Sequence, residues 1–451
     1  MKMRLFDDRD FYKSLFTLAV PIMLQNLVNS FVNMLDTIMI GRLGTTEIAA
    51  VGLGNQVFFL FNMILFGICS GGAIFTAQYW GKKDIAGIRK NTGLCLILNT
   101  AVAALFTAAV LAMPERIIGV YSRDPLVIEA GALYLKTLAP SYIPFGISFM
   151  FTISLRSVER VNLAMVSTLI ALSLNMAGNY LLIFGIGPFP ALGVQGAAIS
   201  TVIARIAELF IVVIASYARK YPMAGSLREF CAADAAFVGR FLRITGPVII
   251  NELMWALGIS VQNVIFARTG TDAIAAFNIT NTVSQLAWVV FIGLGNGVAV
   301  LIGKRIGEGR EETARDYARR ITLFAPLLAA ALAALLFPLS RFIPLVFNIN
   351  AVVIAYTSTM FVVLCLSYPF RAFNMCLIVG VCRAGGDTIF CVLFEIIFMW
   401  CYSLPFGAAV AFFFRAPVWI IYLCLCTEDV FKMICGVRRL KSGRWLNNVI
   451  L

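Results

Sequence analysis

Two stretches of this chain hold one register about half its length apart, and that repeat limits the possible folds more than any other feature. Pro21 to Val57 reads PIMLQNLVNSFVNMLDTIMIGRLGTTEIAAVGLGNQV, and Pro247 to Val283 reads PVIINELMWALGISVQNVIFARTGTDAIAAFNITNTV. Arg42, Gly44, Thr45, Ile48, Ala49, Ala50, Asn55 and Val57 fall on Arg268, Gly270, Thr271, Ile274, Ala275, Ala276, Asn281 and Val283. The register persists: Gly67, Gly71 and Gly81 fall on Gly293, Gly297 and Gly307, and Ser141–Tyr142 falls on Ser367–Tyr368. A chain with this property reads as a duplication, with one half built like the other.

Composition says what each half is made of. The chain is 61% hydrophobic and 13% charged, against about 45–50% and about 25% for soluble domains. It therefore reads as a polytopic membrane protein. Spans of about 20 apolar residues are expected near 15–39, 54–78, 92–113, 130–154, 163–185 and 193–217, then near 242–266, 280–303, 319–340, 353–380, 388–412 and 415–436. The fold class is all-α integral membrane, with twelve transmembrane helices as six plus six. The expected organisation is an N-terminal lobe over 1–217, a cytoplasmic linker over 218–240 and a C-terminal lobe over 241–451. Within the linker, 228–241 reads as a short surface helix. An even number of spans per half makes the halves parallel repeats, an arrangement found among secondary transporters.

The net charge of +13 concerns bilayer orientation rather than nucleic acid. Lys82, Lys83, Arg89 and Lys90 lie in one loop, and Lys304, Arg305, Arg310, Arg315, Arg319 and Arg320 in its counterpart. Arg219, Lys220, Arg228, Arg240 and Arg243 lie in or beside the linker, and Arg438, Arg439, Lys441 and Arg444 follow the last span. The alternate loop at 184–192 has no Lys or Arg, so both termini are expected in the cytoplasm of a cell that holds the protein in its inner membrane. MKMRLFDDRDFYKS is polar and leads straight into a span, which argues against a cleavable signal. The eleven cysteines sit mostly in apolar runs and read as small buried residues.

The chemistry concentrates on span one. As a helix, Asn26, Asn29, Asn33 and Asp36 follow at spacings of three, four and three and share one face. A carboxylate in a membrane helix costs about 2.5–3.5 kcal/mol on insertion scales, which makes Asp36 a functional candidate; the asparagines read equally well as helix–helix glue. Span five places Asn175 and Asn179 one turn apart, within reach of a carboxyl on span one. Further acids are Glu208, with Arg205 three residues before it on the same face, Glu252 in span seven, and Glu395 in span eleven, for which Arg371 in span ten is a possible partner. Asp387 falls where a helix cap is expected. With no histidine in the chain, proton coupling would fall to carboxyls; a carboxyl with amide and carbonyl oxygens can equally hold sodium. The chain contains no GxxxxGK[ST], HExxH or GxSxG motif, so neither ATP-driven transport nor an intramembrane hydrolase is supported.

VNMLDTIMIGRLG (32–44), LGVQGAAISTVIAR (192–205) after the Asn175/Asn179 span, PVIINELMWALG (247–258), CRAGGDTIF (382–390) with Glu395, Trp400 and Pro405 after it, and RRLKSGRW (438–445) together resemble the bacterial branch of the multidrug and toxic compound extrusion (MATE) transporters. The resemblance spans essentially the whole chain. It implies two six-helix lobes in a V around a central cavity, and export of small cationic or aromatic compounds in exchange for H+ or Na+, with no other cofactor. It implies a coupling-ion site at Asp36 with Asn175 and Asn179, joined by Asn33 and Thr201, and a further cation site at Glu252. Candidate substrate-cavity residues are Asn26, Asn29, Trp255, Gln262, Asn281, Gln285, Glu395 and Arg371, with Phe58, Met63 and Phe291 as further aromatic or Met contacts. Expected partners are the substrate and membrane lipid, with no nucleic acid and a monomeric protein. The alternative reading is a flippase for lipid-linked saccharide or peptidoglycan precursors, which would need cationic cavity residues to meet pyrophosphate.

Overall fold

Long apolar runs without strand periodicity can satisfy their backbone inside a bilayer only as helices. The computed structural model describes residues 8–338, Phe342 and 350–451, and these are helical with no strand among them. Residues 339 and 340 of the ninth expected span lie outside the described residues. The spanning helices are α1 (Arg9–Gly41), α2 (Thr45–Lys82), α3 (Ile85–Ala112), α5 (Pro125–Leu138) continuing through a 3₁₀ turn into α6 (Tyr142–Ser157), α7 (Val161–Phe184) and α8 (Gly193–Ala218). A short α4 (Pro114–Gly119) lies between α3 and α5, and α9 (Leu227–Phe230) follows α8. The rest are α10 (Ala235–Thr269), α11 (Thr271–Gly307), α12 (Glu311–Leu336), α13 (Ala351–Met375), α14 (Thr388–Glu395), α15 (Leu404–Phe412) and α16 (Val418–Ser442). Among the described residues, eleven helical stretches are long and apolar enough to cross a membrane. The twelfth expected span is α16, whose apolar run is broken by Glu428, Asp429 and Lys432.

Most helices run several residues beyond the apolar stretches that announce them. The surface helix expected over 228–241 is instead a single turn, α9, after which the chain joins α10 at Ala235 without a break before the seventh span.

Close packing divides the chain into two units. One is Leu24–Thr245; the other is Gly246–Leu451 together with Met1–Met23. Both borders fall inside helices within three residues of a proline, at Pro21 in α1 and Pro247 in α10. Proline removes a backbone donor from a helix interior and weakens the ladder there, so α1 and α10 can each serve two packing environments.

Glycines set the helix contacts in each unit. In the first unit, Gly71 of α2 faces the Thr245 side chain of α10, and one turn on Phe75 stacks against Phe241 with ring centroids 5.6 Å apart. In the second, Gly297 of α11 faces Ala19 and Leu15 of α1, and Gly293 faces Met23. Gly71 and Gly297 are repeat equivalents, and so are Thr245 and Ala19, so each half makes the same contact. A glycine here lets two helices approach more closely than side chains would allow.

The segment after α8 docks the same way. A Cβ on Gly93 of α3 would strike the backbone of Phe230 in α9. Around that contact Ser226 caps α9 in a reciprocal box with Glu229, and Arg89 pairs with Glu229 at 2.6 Å. The Ser226 backbone N–H, and after it Arg89, hold the Glu229 carboxyl well below the usual carboxylate range, at about 2. A depressed folded-state value means that this contribution to docking is present above the ordinary carboxylate range and is lost as pH falls toward 2. Gly93→Ala should destabilise the fold by about 1–3 kcal/mol and expose the 222–234 segment to limited proteolysis at neutral pH. Glu229→Gln should expose the same segment with a smaller loss of melting temperature.

Candidate functional site

The first unit brings one carboxylate and two amides toward a single place. α1 carries Asp36, two turns beyond Asn29. α7 presents Asn175 and Asn179 four residues apart and packs tightly on α8, where Gly178 lies against Ser200 and Gly196 against the Leu182 carbonyl. Asn179 donates from Nδ2 to Asp36 Oδ1 at 2.7 Å. Asn179 is 1% exposed, and its own Oδ1 is buried without a partner. No Lys or Arg among the described residues stands within 4 Å of Asp36; its hydrogen-bond partner is the Asn179 amide, and Arg205 acts on it only at longer range.

Asn175 does not bond the carboxylate. It donates to Thr201 Oγ1 at 3.1 Å and takes the Ser200 hydroxyl on its main-chain oxygen at 2.7 Å. Asn175 lies a turn before Asn179 on α7, where its side chain meets Thr201 and its carbonyl meets Ser200 of α8. Thr201 thus bonds Asn175 and not Asp36. Asn33 is exposed. Asn26 and Asn29 are half-buried, and the Asn26 amide nitrogen has no partner.

Deeper in the same unit a polar chain runs across four helices. Arg156 donates to the Gln25 side-chain oxygen. Gln25 donates to Thr168 Oγ1 at 2.6 Å, and Thr168 to Glu208 Oε1 at 2.8 Å. Arg205 closes it on Glu208 Oε2 at 2.9 Å, the local pair anticipated from their spacing.

The second unit treats its acids differently. Glu252 is ion-paired with Arg383, which also donates to Asn251 Oδ1 at 2.6 Å. Glu395 pairs with Lys432 at 3.1 Å, so the partner expected for it, Arg371, belongs elsewhere: Arg371 lies 3.1 Å from Asp429. Lys432 also reaches Glu428 Oε1 at 3.5 Å, and Asn374 donates to Asp429 Oδ1 at 3.1 Å. Asp387 sits at the cap position of α14 but makes no side-chain cap; its carboxylate takes Arg439 at 2.7 and 2.8 Å. Trp255, Gln262 and Asn281 are half-buried and Gln285 is exposed. Among the described residues, none of these four hydrogen-bonds an acid.

Lys432, Glu428, Asp429 and Arg383 escaped the sequence reading. The signal was TEDVFK (427–432) inside the twelfth span, where Glu428 and Lys432 are four apart on one face. No sequence pattern announced the two π-helical stretches, Cys376–Arg383 and Ile396–Ser403. They end at Arg383 and begin just after Glu395, and the wider turn shifts the faces these side chains present. π-helical segments are frequent at functional sites.

These features define a polytopic helical membrane protein with an unpaired carboxylate in one unit and buried ion pairs in the other. The family model MatE matches residues 21–181 and again 247–409, beginning each time at the repeated proline, and the chain belongs to this family, the MATE multidrug efflux transporters. It is 25% identical to the "Uncharacterized transporter YisQ" of Bacillus subtilis, over 96% of this chain and 95% of that one. It is 23% identical to the "Probable multidrug resistance protein NorM" of Thermotoga maritima, over 97% and 94%. Its fold is similar to a mutant of the Vibrio cholerae MATE transporter VcmN, with TM-score 0.89, 16% identity and 98% of each chain covered. It is also similar to a MOP superfamily transporter from Pyrococcus furiosus whose binding pocket is described as of reverse polarity, with TM-score 0.85, 20% identity and 96% of each chain covered. MATE transporters have twelve transmembrane helices in two lobes, the fold class expected from the spans.

A hydrogen bond to a charged group is worth about 1.5–3 kcal/mol. Asn179→Ala should therefore lower the melting temperature of the purified protein by a few degrees at neutral pH, because Asp36 loses the donor that meets it. Asn175→Ala should lower it less, because Asn175 bonds neutral hydroxyls of α8 rather than the carboxylate.

Proposed function

We propose that the protein is a secondary antiporter of the inner membrane that exports small cationic or aromatic compounds in exchange for H+ or Na+, with Asp36 as the coupling group. The observation that supports this is the contrast among intramembrane acids. Glu208, Glu252, Glu395, Glu428 and Asp429 each have a Lys or Arg within 4 Å, whereas Asp36 has an amide. A carboxylate left without a fixed cation can take a mobile one. Asn179 suits both states: its N–H₂ bonds the ionised oxygen, and its free Oδ1 can accept from a protonated carboxyl or ligate sodium.

Cation arrival at Asp36 changes what α1 and α7 exchange across their contact. Such a change shifts an equilibrium between transport states by the difference in ion affinity between them, and by no more than that. Outward release of cargo and ion uptake at Asp36 are then linked, with both termini in the cytoplasm and the protomer acting alone. Asn26 and Asn29 in the first unit, and Trp255, Gln262, Asn281 and Gln285 in the second, are proposed substrate contacts, where aromatic faces and amides suit flat cations. Among the described residues, the bases embedded in the second unit's spans, Arg371, Arg383 and Lys432, each pair with an acid, which leaves the flippase reading none of these three free for a pyrophosphate.

Uptake of a cationic dye into inside-out vesicles, driven in turn by an imposed proton gradient and an imposed sodium gradient, tests the proposal. Wild type should accumulate dye under one gradient, which names the ion, and Asp36→Asn should reduce uptake to background. Wild-type rates in Asp36→Asn would remove Asp36 from coupling. Folded protein that moves no dye under either gradient would overturn the cationic-drug reading.

A further inference from the structure

Lys432 is 5% exposed and lies in the middle of α16, a place where an ammonium is expensive unless it is paired. Its Nζ stands 3.1 Å from Glu395 Oε2 of α14 and 3.5 Å from Glu428 Oε1 of its own helix. Asp429 is occupied separately by Arg371 of α13 and by Asn374. One ammonium therefore serves two carboxylates, and the second oxygen of Glu428 is buried with no partner. Two carboxylates on neighbouring helices, closed by one monovalent positive charge, are the donor set that a bound alkali cation or a shared proton would use. Here that charge is attached to the chain.

We propose that Lys432 is a tethered cation: its ammonium holds Glu395 and Glu428 in place of an exchangeable ion, so that the second unit binds no coupling ion of its own. An entering cation would have to displace the ammonium and leave it buried and unpaired, which is unfavourable. Glu252 is closed in the same manner by Arg383. Coupling is thereby confined to the first unit, a consequence that rests on the assignment of Asp36. Removing the Lys432 side-chain charge should uncover the site, with the unpartnered Glu428 oxygen as its nearest ligand.

The test is the melting temperature of the purified full-length protein against Na+, Li+ and pH, with choline chloride holding ionic strength constant. Lys432→Met should gain a saturable rise of a few degrees with one of these cations, and adding Glu428→Gln should abolish that gain. In Asp36→Asn with Lys432 intact, no cation-specific rise should remain. Monodisperse Lys432→Met with no new cation response overturns the proposal. So does a response in Asp36→Asn that Glu428→Gln removes, and this second comparison decides the matter should Lys432→Met not fold. Failure of the Asp36 assignment reads differently: Asp36→Asn would transport normally while the Lys432→Met comparison stood.

Discussion

The hydrogen bond from Asn179 to Asp36 is the constraint around which the first unit is arranged. A carboxylate within a membrane helix must be met by a cation, by donors or by a proton, because the surrounding hydrocarbon offers none of them. Here a single amide on α7 meets it at 2.7 Å. That amide is held in place by tight α7–α8 packing at Gly178 and Gly196 and by the Asn175–Thr201–Ser200 bonds one turn away. The small residues on the α7–α8 face thus position the group that gives Asp36 its chemistry, and a wider helix separation would leave the carboxyl without its donor.

The helical fold class was legible in the sequence, and so was the presence of a lone acid in the first span, because hydropathy and an acid in an apolar run are local signals. Partner choice across helices was not. Arg371 and Glu395 looked like a match because one base and one acid were visible at similar depth. Three further charges in α16 change that pairing, and a π-helical stretch right after Glu395 changes the face that α14 and its continuation present. Asn175 failed for a related reason: its spacing from Asn179 was read correctly, but which of the two lies level with Asp36 depends on the rotation of α7 against α1, which spacing leaves open. The α9 turn was overextended in the reading because the Ser226–Glu229 cap fixes where it begins, while no comparable residue marks its end.

The same scaffold is made twice with different electrostatics. In each half a helix passes a proline, and four residues later presents an amide to an arginine near the end of the fourth span: Gln25 to Arg156, Asn251 to Arg383. In the first half the balancing carboxylate, Glu208, lies two hydrogen bonds away through Thr168. In the second it has moved beside the amide itself, as Glu252, onto the position that Asn26 holds in the first. Moving one acid along the repeat replaces a relay through Gln25 and Thr168 with a direct ion pair.

That difference bears on how a duplicated chain can do asymmetric work. Two equal halves with equal open acids would carry two equivalent ion sites, and ion arrival at either would bias the protein alike. Fixed cations on α16 and at the end of the tenth span remove that equivalence at little steric expense, since a lysine stem packs among apolar neighbours while only its head needs partners. The buried pairs are not thereby a source of stability, because desolvation offsets much of their attraction. What they contribute is a second unit whose span-embedded acids already hold fixed cations, leaving the amide-bound carboxylate of the first as the group most open to a mobile cation.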